Sequence, residues 1–312
     1  MGYVTILKTT AWYENIILVM NLTQLAEMVL LLFTCKYFCE FNIGVGERFM
    51  IKVCRKNNVL VPDLDISQAY MRYKNKTIFK NLSLSLPGGQ WTCLLGTSGV
   101  GKSTLLRMIA GVLTDDDFKR ESDECCIGNI TASDGISLKG RVAYMAQSDL
   151  LMPWCSALEN VLLGCKLRGQ KTRKNIEKAK GLLNMVELED SAKLKPSSLS
   201  GGMRQRVALA RTLMENKPIV LMDEPFSALD AITRYKLRNL AAKLLKNCMV
   251  LLVTHDPMEA LRLGDNIKIM CGSPAKIIDF EDIPKTPIPR NSDDMAVIAL
   301  YGKVLKIMEA KV

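Results

Sequence analysis

The sequence predicts an α/β fold in which a mostly parallel sheet is covered by helices on both faces. Apolar runs of strand length alternate with segments of helical period, and such continuous runs are typical of strands buried on both faces. Examples of these runs are "WTCLLG", "PIVLMDEP" and "MVLLVTHD". A glycine-rich turn follows the first run and leads into a helix, an arrangement that binds phosphate in many α/β proteins.

Composition and charge narrow the classes of function. The 312 residues are 48% hydrophobic and 24% charged, which is typical of a globular protein and argues against a disordered chain or a polytopic membrane protein. The formal net charge of +10 fits an acidic partner, such as nucleic acid, anionic lipid or nucleotide phosphates, and it also fits a solvated basic surface. The ten cysteines include no Cys-x-x-Cys pair, so they indicate reduced thiols in a cytosolic protein.

Residues 1–60 differ from the rest of the chain. The segment 14–41 is apolar, but polar residues interrupt it, and a membrane span needs about 20 predominantly apolar residues. Three interpretations stay open: an amphipathic or membrane-touching extension, an ordinary helix, or an upstream stretch translated from a misassigned start. The last is favoured because the recognisable pattern begins near Val61.

From Val61 onward the predicted elements follow in order. Alternating polar and apolar residues in "LDISQAYMRY" and "KTIFKNLSLSL" predict two strands. The buried strand "WTCLLG" is followed by "KSTLLRMIAGV", which has the period of a helix. Residues 114–139 predict mostly loop with short strands, and residues 156–195 predict helices rich in Lys and Arg. Two further helices are predicted from "ALDAITRYKLRNLAAKLLKN" and "DDMAVIALYGKVLKIMEAKV".

The glycine-rich turn matches the phosphate-binding pattern G-x-x-x-x-G-K-[ST]. Its glycines let the backbone turn tightly, so that successive N–H groups point at a phosphate, and the helix N-terminus adds a favourable dipole. Lys102 is expected to reach the β- and γ-phosphates, and the Ser103 hydroxyl is expected to bind Mg²⁺. The predicted nucleotide-binding residues of this loop are Gly96, Thr97, Ser98, Gly99, Val100, Gly101, Lys102, Ser103 and Thr104.

Two acidic residues end the apolar run "IVLMDE". Asp223 is expected to hold Mg²⁺ through water, and Glu224 to orient or deprotonate the attacking water. One helix later, "MVLLVTHD" places His255, the only histidine, at the end of another strand. Because right-handed crossovers bring both strand ends to one edge of the sheet, where ligands bind, His255 is expected beside the phosphates.

The segment "LSGGMRQRVALARTLMENKPIVLMDEPFSALD" resembles the nucleotide-binding subunits of ATP-binding-cassette (ABC) transporters, and the resemblance runs from about Val61 to the C-terminus. It implies a P-loop NTPase of the ABC type, with an antiparallel β subdomain and a small α-helical subdomain beside the mostly parallel sheet. It places the ATPase domain at 61–283, the helical subdomain at about 150–200, and a tail with a helix at 284–312.

At matching positions the resemblance assigns further roles. Tyr73 would stack on adenine, and Asp230 would lie in a loop that crosses the interface of a homodimer. The signature residues that would bind the γ-phosphate of ATP held by the other subunit are Ser200, Gly201 and Gly202. ATP is thus the implied nucleotide, with Mg²⁺ as its cofactor.

Gln147 is implied to sense Mg²⁺ and water and to link the site to a permease. The implied catalytic residues are Lys102, Gln147, Glu224 as general base and His255 as switch residue. The implied magnesium-binding residues are Ser103, Gln147 and Asp223.

The stretch "DLLMPWCSALENVLLG" resembles importers of the nitrate, sulfonate and taurine group, and "SDGISLKGRVAYMAQSDLL" looks most like its subset for pyrimidine precursors of thiamine. This implies a peripheral subunit at the cytoplasmic face of the inner membrane. Its partners would be a separate transmembrane permease and, indirectly, a solute-binding protein. The charged loop 114–127 is longer than the family's usual link and is expected to be a surface loop.

Two alternatives stay open. The first is an ABC-type ATPase that acts as a regulatory or nucleic-acid-associated module without a permease, which the basic charge permits and which the short helical segment and the importer-like "LLMPW" oppose. The second is a scaffold without catalysis, which the presence of Lys102, Glu224 and His255 opposes.

Overall fold

The structure, a computed structural model, describes residues 61–73, 76–113, 125–126 and 128–310. The predictions made for residues 1–60, and for nearly all of the loop 114–127, lie outside these residues. The strands are β1 Leu64–Tyr73, β2 Lys76–Leu86, β3 Trp91–Gly96, β4 Cys125–Cys126, β5 Asn129–Ala132, β6 Val142–Met145, β7 Ile219–Asp223, β8 Met249–Thr254, β9 Asn266–Cys271 and β10 Lys276–Phe280. The α-helices are α1 Lys102–Ala110, α2 Ala157–Val161, α3 Leu163–Leu167, α4 Arg173–Met185, α5 Gly201–Glu215, α6 Ala231–Leu244, α7 Pro257–Leu263 and α8 Met295–Ala310.

The central sheet has six strands in the order β10-β9-β3-β8-β7-β6. Neighbouring strands from β9 to β6 run parallel, and only β10 runs antiparallel to its neighbour β9. A second, antiparallel sheet forms around β1, which pairs with β2, β4 and β5. The predicted fold, a mostly parallel sheet with a separate antiparallel sheet and a helical part, is confirmed.

The central sheet carries a hydrophobic core on each face, because successive side chains of a strand point to opposite sides. One core joins α1 and the antiparallel sheet to alternate residues of the central strands, among them Leu94, Leu221 and Leu251. The other joins α5 and α7 to the residues in between, among them Met222 and Leu252. The strands β3, β7 and β8 are buried along their whole length, as their continuous apolar sequences predict.

The helices between β6 and β7 confirm the helical prediction of residues 156–195 as far as Met185, whereas residues 186–195 form turns and irregular backbone. Helix α2 begins with a reciprocal cap, in which the Ser156 hydroxyl accepts from the Glu159 N–H while the Glu159 carboxylate accepts from the Ser156 N–H. Helix α4 begins at the cap Thr172 and packs on α5, which returns the chain to the central sheet. This arrangement fixes the start of α5 beside the ends of the parallel strands.

The predicted last helix is confirmed as α8, which packs on α7 through the buried side chains of Val297 and Val304. The strands β9 and β10 were not predicted. No helix within the described ranges is long and apolar enough to cross a membrane.

Candidate nucleotide-binding and hydrolytic site

The glycine-rich turn connects β3 to α1, as predicted, at the carboxyl edge of the parallel strands. Gly101 caps α1 with a φ of 113°, a backbone conformation that favours glycine. A Cβ at this position would stand 2.8 Å from the Ile78 side chain and 3.0 Å from the Phe79 ring, so space also demands glycine there. The antiparallel sheet thereby sets the position of the phosphate-binding loop.

Lys102 begins α1 with its side chain folded into the loop. Its ammonium group donates to the carbonyl oxygens of Gly96 at 2.8 Å and Thr97 at 2.9 Å. Burial lowers the pKa of Lys102, and the nearby carboxylates of Glu224 and Asp223 act in the opposite direction. An ammonium group has three donors, so Lys102 has a third for a phosphate oxygen at the mouth of the loop.

Asp223 ends β7 with only 3% of its surface exposed. Burial raises the pKa of its carboxyl group, while a hydrogen bond from Ser103 lowers it. The Asp223 Oδ1 atom is buried and lacks a hydrogen-bond partner within the described residues. A buried carboxylate oxygen that lacks a donor, beside a hydroxyl group at a phosphate-binding loop, fits the oxygen ligands that Mg²⁺ prefers.

Glu224 and His255 are in direct contact, although they lie 31 residues apart in the sequence. The His255 Nδ1 atom lies 3.0 Å from Glu224 Oε1, and the Gln147 amide donates to Glu224 Oε2 at 3.3 Å. The Glu224 side chain is 13% exposed and that of His255 is 58% exposed, so the pair opens toward solvent from the histidine side. The contacts follow from topology, since β6, β7 and β8 are neighbouring parallel strands that end at one edge.

The backbone at Glu224 is strained, because this residue has a positive φ of 45°. Hydrogen bonds hold it there: its N–H donates to Val253 O at 3.0 Å, and its carbonyl accepts from Ser227 Oγ at 3.0 Å and Gln205 Nε2 at 3.2 Å. Gln205 also accepts from the Ala228 N–H at 2.9 Å. Sequence reasoning missed Gln205. The observation that could have indicated it is that a glutamine lies on the apolar side of the predicted helix, and the structure shows this residue to be buried.

The signature residues lie at the start of α5. The Ser200 hydroxyl caps this helix by accepting from the Met203 N–H at 3.2 Å. Gly201 is exposed, and a Cβ on Gly202 would stand 3.3 Å from the Ala228 carbonyl oxygen. That this helix N-terminus offers its N–H groups to a phosphate of ATP held by a second subunit stays a prediction.

Two other predicted site residues, Asp230 and Tyr73, make contacts outside the Glu224–His255 pair. Asp230 is exposed and caps α6 by accepting from the Thr233 N–H at 3.0 Å, and this hydrogen bond lowers the pKa of Asp230. Tyr73 is the last residue of β1, where its backbone pairs with Lys76 of β2. Adenine stacking by Tyr73 and interface crossing by Asp230 stay predictions.

The loop after Gln147 is fastened to α5 by two arginines. The Arg204 guanidinium donates to Asp149 Oδ2 at 2.8 Å, and the Arg211 guanidinium donates to the carbonyl oxygens of Asp149 and Leu150 at 2.7 Å each. Leu150 has a positive φ of 44°, which the two bonds from Arg211 help to hold. Sequence reasoning did not single out either arginine.

Comparison with known proteins agrees with this geometry. The sequence model of the family described as ABC transporter matches residues 79–227. An ABC transporter ATP-binding protein of Haemophilus influenzae, itself uncharacterized, is 45% identical over 205 residues, covering 66% of this chain and 80% of the relative. The chain belongs to the ABC transporter family. It is an ATP-binding protein and ATPase of the ABC type.

Two named relatives confirm the resemblance to the sulfonate and taurine group. An aliphatic sulfonates import ATP-binding protein of Burkholderia cenocepacia is 39% identical over 249 residues, covering 78% of this chain and 86% of the relative. A taurine import ATP-binding protein of Pseudomonas aeruginosa is 39% identical over 209 residues, covering 66% and 76%.

Among solved structures, a dimeric ATP-binding cassette in a post-hydrolysis state, bound to ADP and phosphate, has a similar fold. Its TM-score is 0.59 at 29% identity, with 73% of this chain and 99% of that chain covered. This similarity confirms the ABC cassette fold.

Proposed function

We propose that Glu224 and His255 carry ATP hydrolysis in this protein. The contact of 3.0 Å between Glu224 Oε1 and His255 Nδ1, beside the phosphate-binding loop, is the observation that carries the proposal. Glu224 takes a proton from a water molecule as the oxygen attacks the γ-phosphorus, and the bond to the ADP oxygen breaks. Lys102 stabilises the charge on the phosphate oxygens. His255 holds the Glu224 carboxylate in position and presents its exposed side to the phosphate.

The proposed magnesium site consists of Ser103, Asp223 and Gln147. The Ser103 hydroxyl and the Asp223 Oδ1 atom, which has no hydrogen-bond partner among the residues that the structure describes, support it. Bound there, Mg²⁺ would neutralise charge on the β- and γ-phosphates. Gln147 donates a hydrogen bond to Glu224, which follows Asp223 directly in the sequence.

We propose a homodimer in which each subunit completes the site of the other. The glycines after Ser200 leave the N-terminus of α5 accessible to a phosphate of the facing subunit. The exposed position of Asp230, and the dimeric state of the similar solved cassette, support the same arrangement.

In this proposal the chain is a peripheral subunit on the cytoplasmic face of the inner membrane, where it powers import through a separate permease. The names of the sulfonate and taurine relatives support an organic sulfonate as the imported solute. A solute-binding protein and the permease select that solute. The weaker resemblance to systems for thiamine pyrimidine precursors stays a prediction.

The catalytic assignment is tested by Glu224→Gln. Turnover of ATP should fall at least about a hundredfold, as for removal of a catalytic proton acceptor. ATP binding should persist, and gel filtration with ATP should show a trapped dimer. Glu189→Gln is the matched control because Glu189 is exposed, and this variant should retain wild-type turnover. Unchanged turnover in Glu224→Gln would remove Glu224 from its role.

The transport assignment is tested by affinity purification of the protein from its native membranes, followed by mass spectrometry. A multi-helix permease should co-purify. Co-purification of nucleic acid would instead support the regulatory alternative, provided that the affinity of the protein for nucleic acid rises with ATP and falls with salt. Recovery of soluble proteins alone, without a permease, would refute the import assignment and leave the proposed ATPase chemistry unaffected.

A further inference from the structure

Arg238 lies in the middle of α6 and belongs to none of the site residues described above. The residue is 8% exposed, and its guanidinium makes charge-assisted contacts with two carboxylates. Its Nη2 donates to Asp256 Oδ2 at 2.9 Å, and its Nε donates to Glu259 Oε1 at 2.7 Å. A buried arginine that donates hydrogen bonds to two carboxylates of another segment strongly constrains the position of that segment.

The first of these acids adjoins the switch histidine. Asp256 follows His255 directly, and its side chain also accepts from the Met258 N–H at 2.9 Å to begin α7. Its own N–H donates to Thr254 Oγ1 at 3.0 Å. The residues on both sides of His255 are therefore held, and Arg238 is the one contact among these that comes from a different helix.

Arg238 also reaches the loop that carries Glu224. Its guanidinium carbon lies 6.0 Å from the centroid of the Phe226 ring, two residues after Glu224. This distance is at the limit of a cation–π contact, and Phe226 itself is buried. One side chain thus hydrogen-bonds to the loop after β8 and lies at cation–π distance from the loop after β7.

We propose that Arg238 is a positioning residue that holds these two loops in register, so that Glu224 Oε1 and His255 Nδ1 meet. The proposal rests on the hydrolytic roles proposed for Glu224 and His255. It adds a residue that acts on the position of Glu224 and His255 through Asp256 and Phe226.

Arginine suits this position better than lysine. The planar guanidinium offers Nε and Nη2 to two separate carboxylates in fixed directions, whereas a lysine ammonium is a single point of charge. Arg238→Lys therefore keeps the positive charge opposite the buried Glu259 but releases one of the two acids. It is the conservative variant that tests geometry while preserving charge.

The matched control is Arg262→Lys. Arg262 is also buried, donates to Asn239 Oδ1 at 3.0 Å and to Arg290 O at 2.8 Å, and lies over the Tyr235 ring at 4.4 Å. These contacts bind α6 to the C-terminal part of the chain and do not include the loop of Glu224. A general loss of packing should affect both variants alike.

The single histidine allows a direct readout. In tag-free protein with labelled histidine, NMR yields one set of imidazole signals, that of His255, and the Nδ1 signal is followed. Glu224→Gln should shift this signal in the wild-type and Arg262→Lys backgrounds. In the Arg238→Lys background the same substitution should produce less than about half of that shift, because the two side chains no longer meet. A full shift would refute the proposal whether or not the protein hydrolyses ATP.

Kinetics supply the second readout. Arg238→Lys should lower kcat at least about tenfold with KM for ATP changed less than about threefold, since the phosphate-binding loop stays intact. Arg262→Lys should retain kcat within about threefold. Equal losses in the two variants would mean that Arg238 serves packing alone. An inactive wild-type chain would contradict the proposed function and leave the NMR test of Arg238 in force.

A double variant separates charge burial from positioning. Arg238→Met leaves Glu259 buried without its partner and is expected to destabilise the fold. Arg238→Met combined with Glu259→Gln removes that charge and should restore the melting temperature, while kcat stays low because Asp256 is still unheld. Recovery of kcat together with stability would overturn the proposal.

Discussion

Replacing Gly101 by alanine tests how the antiparallel sheet sets the phosphate-binding loop. The residue has a φ of 113°, and the added Cβ would stand 2.8 Å from Ile78 Cγ2 and 3.0 Å from Phe79 Cε1. Both neighbours belong to β2, and Phe79 is fully buried, so its ring has little room to move. The substitution therefore combines backbone strain with overpacking.

The two contributions can be separated with Gly111, at the other end of α1. Gly111 has a φ of 66°, and a Cβ there would meet nothing within 4 Å. Backbone strain at a positive φ costs about 1–2 kcal/mol, and overpacking of a tight core costs about 1–3 kcal/mol. Gly101→Ala should thus lower the free energy of unfolding by about 2–5 kcal/mol, and Gly111→Ala by about 1–2 kcal/mol.

The measurement is urea unfolding of the wild type and both variants, with and without ATP and Mg²⁺. A ligand that binds only the folded state at a hundred times its Kd adds about 2.7 kcal/mol. Gly111→Ala should keep this increment and Gly101→Ala should lose most of it, because the displaced loop no longer fits a phosphate. Equal destabilisation by the two substitutions, or full ATP protection of Gly101→Ala, would refute the reasoning.

Two further substitutions probe the site through its burial and its contacts with α5. Burial raises the folded-state pKa of Asp223 above its ordinary value of 3.8. The protonated Asp223 carboxyl group therefore contributes its full stabilisation below pH 3.8, and this contribution is lost as the pH rises through the folded-state pKa. Asp223→Asn should melt higher than the wild type at pH 7 without Mg²⁺, with the gap closing in acid; equal melting at pH 7 would contradict this. Arg211→Met leaves the carbonyl oxygens of Asp149 and Leu150 without these bonds and should lower the free energy of unfolding by about 1–3 kcal/mol. A chemical denaturation curve checks it, and a change below about 0.5 kcal/mol would mean that water replaces Arg211.

Sequence patterns predicted the parts of this fold that depend on local physics. The uninterrupted apolar residues of β7 and β8 required burial on both faces, and the crossover rule then placed Asp223 and His255 at one edge. The strand β10 has a weaker signal, because the exposed charged residues Lys276 and Asp279 interrupt its apolar pattern. Pairing with β9 stabilises this strand, and the local pattern of apolar and polar residues does not reveal which strands pair.

The residues that sequence reasoning missed share a different property. Gln205 and Arg238 each act on a loop that is distant in sequence, and their own helices predict only that they are polar. Whether a polar helix residue faces water or a carbonyl oxygen depends on what the fold packs against that helix. Gln205 is 5% exposed because the loop of Glu224 lies over it. No residue type or spacing encodes that contact.

The contacts of α5 connect the two halves of the proposed composite site. Gln147 contacts Glu224, and the residues just after it are bound to α5 by Arg204 and Arg211. The same helix begins at Ser200, which is proposed to face the ATP of the other subunit. The bonds of 2.7–2.8 Å on this path are short and charge-assisted, so the loop after Gln147 is held closely to the helix. We therefore expect a change at the γ-phosphate that displaces Gln147 to be passed through these bonds to α5, which begins at the signature residues.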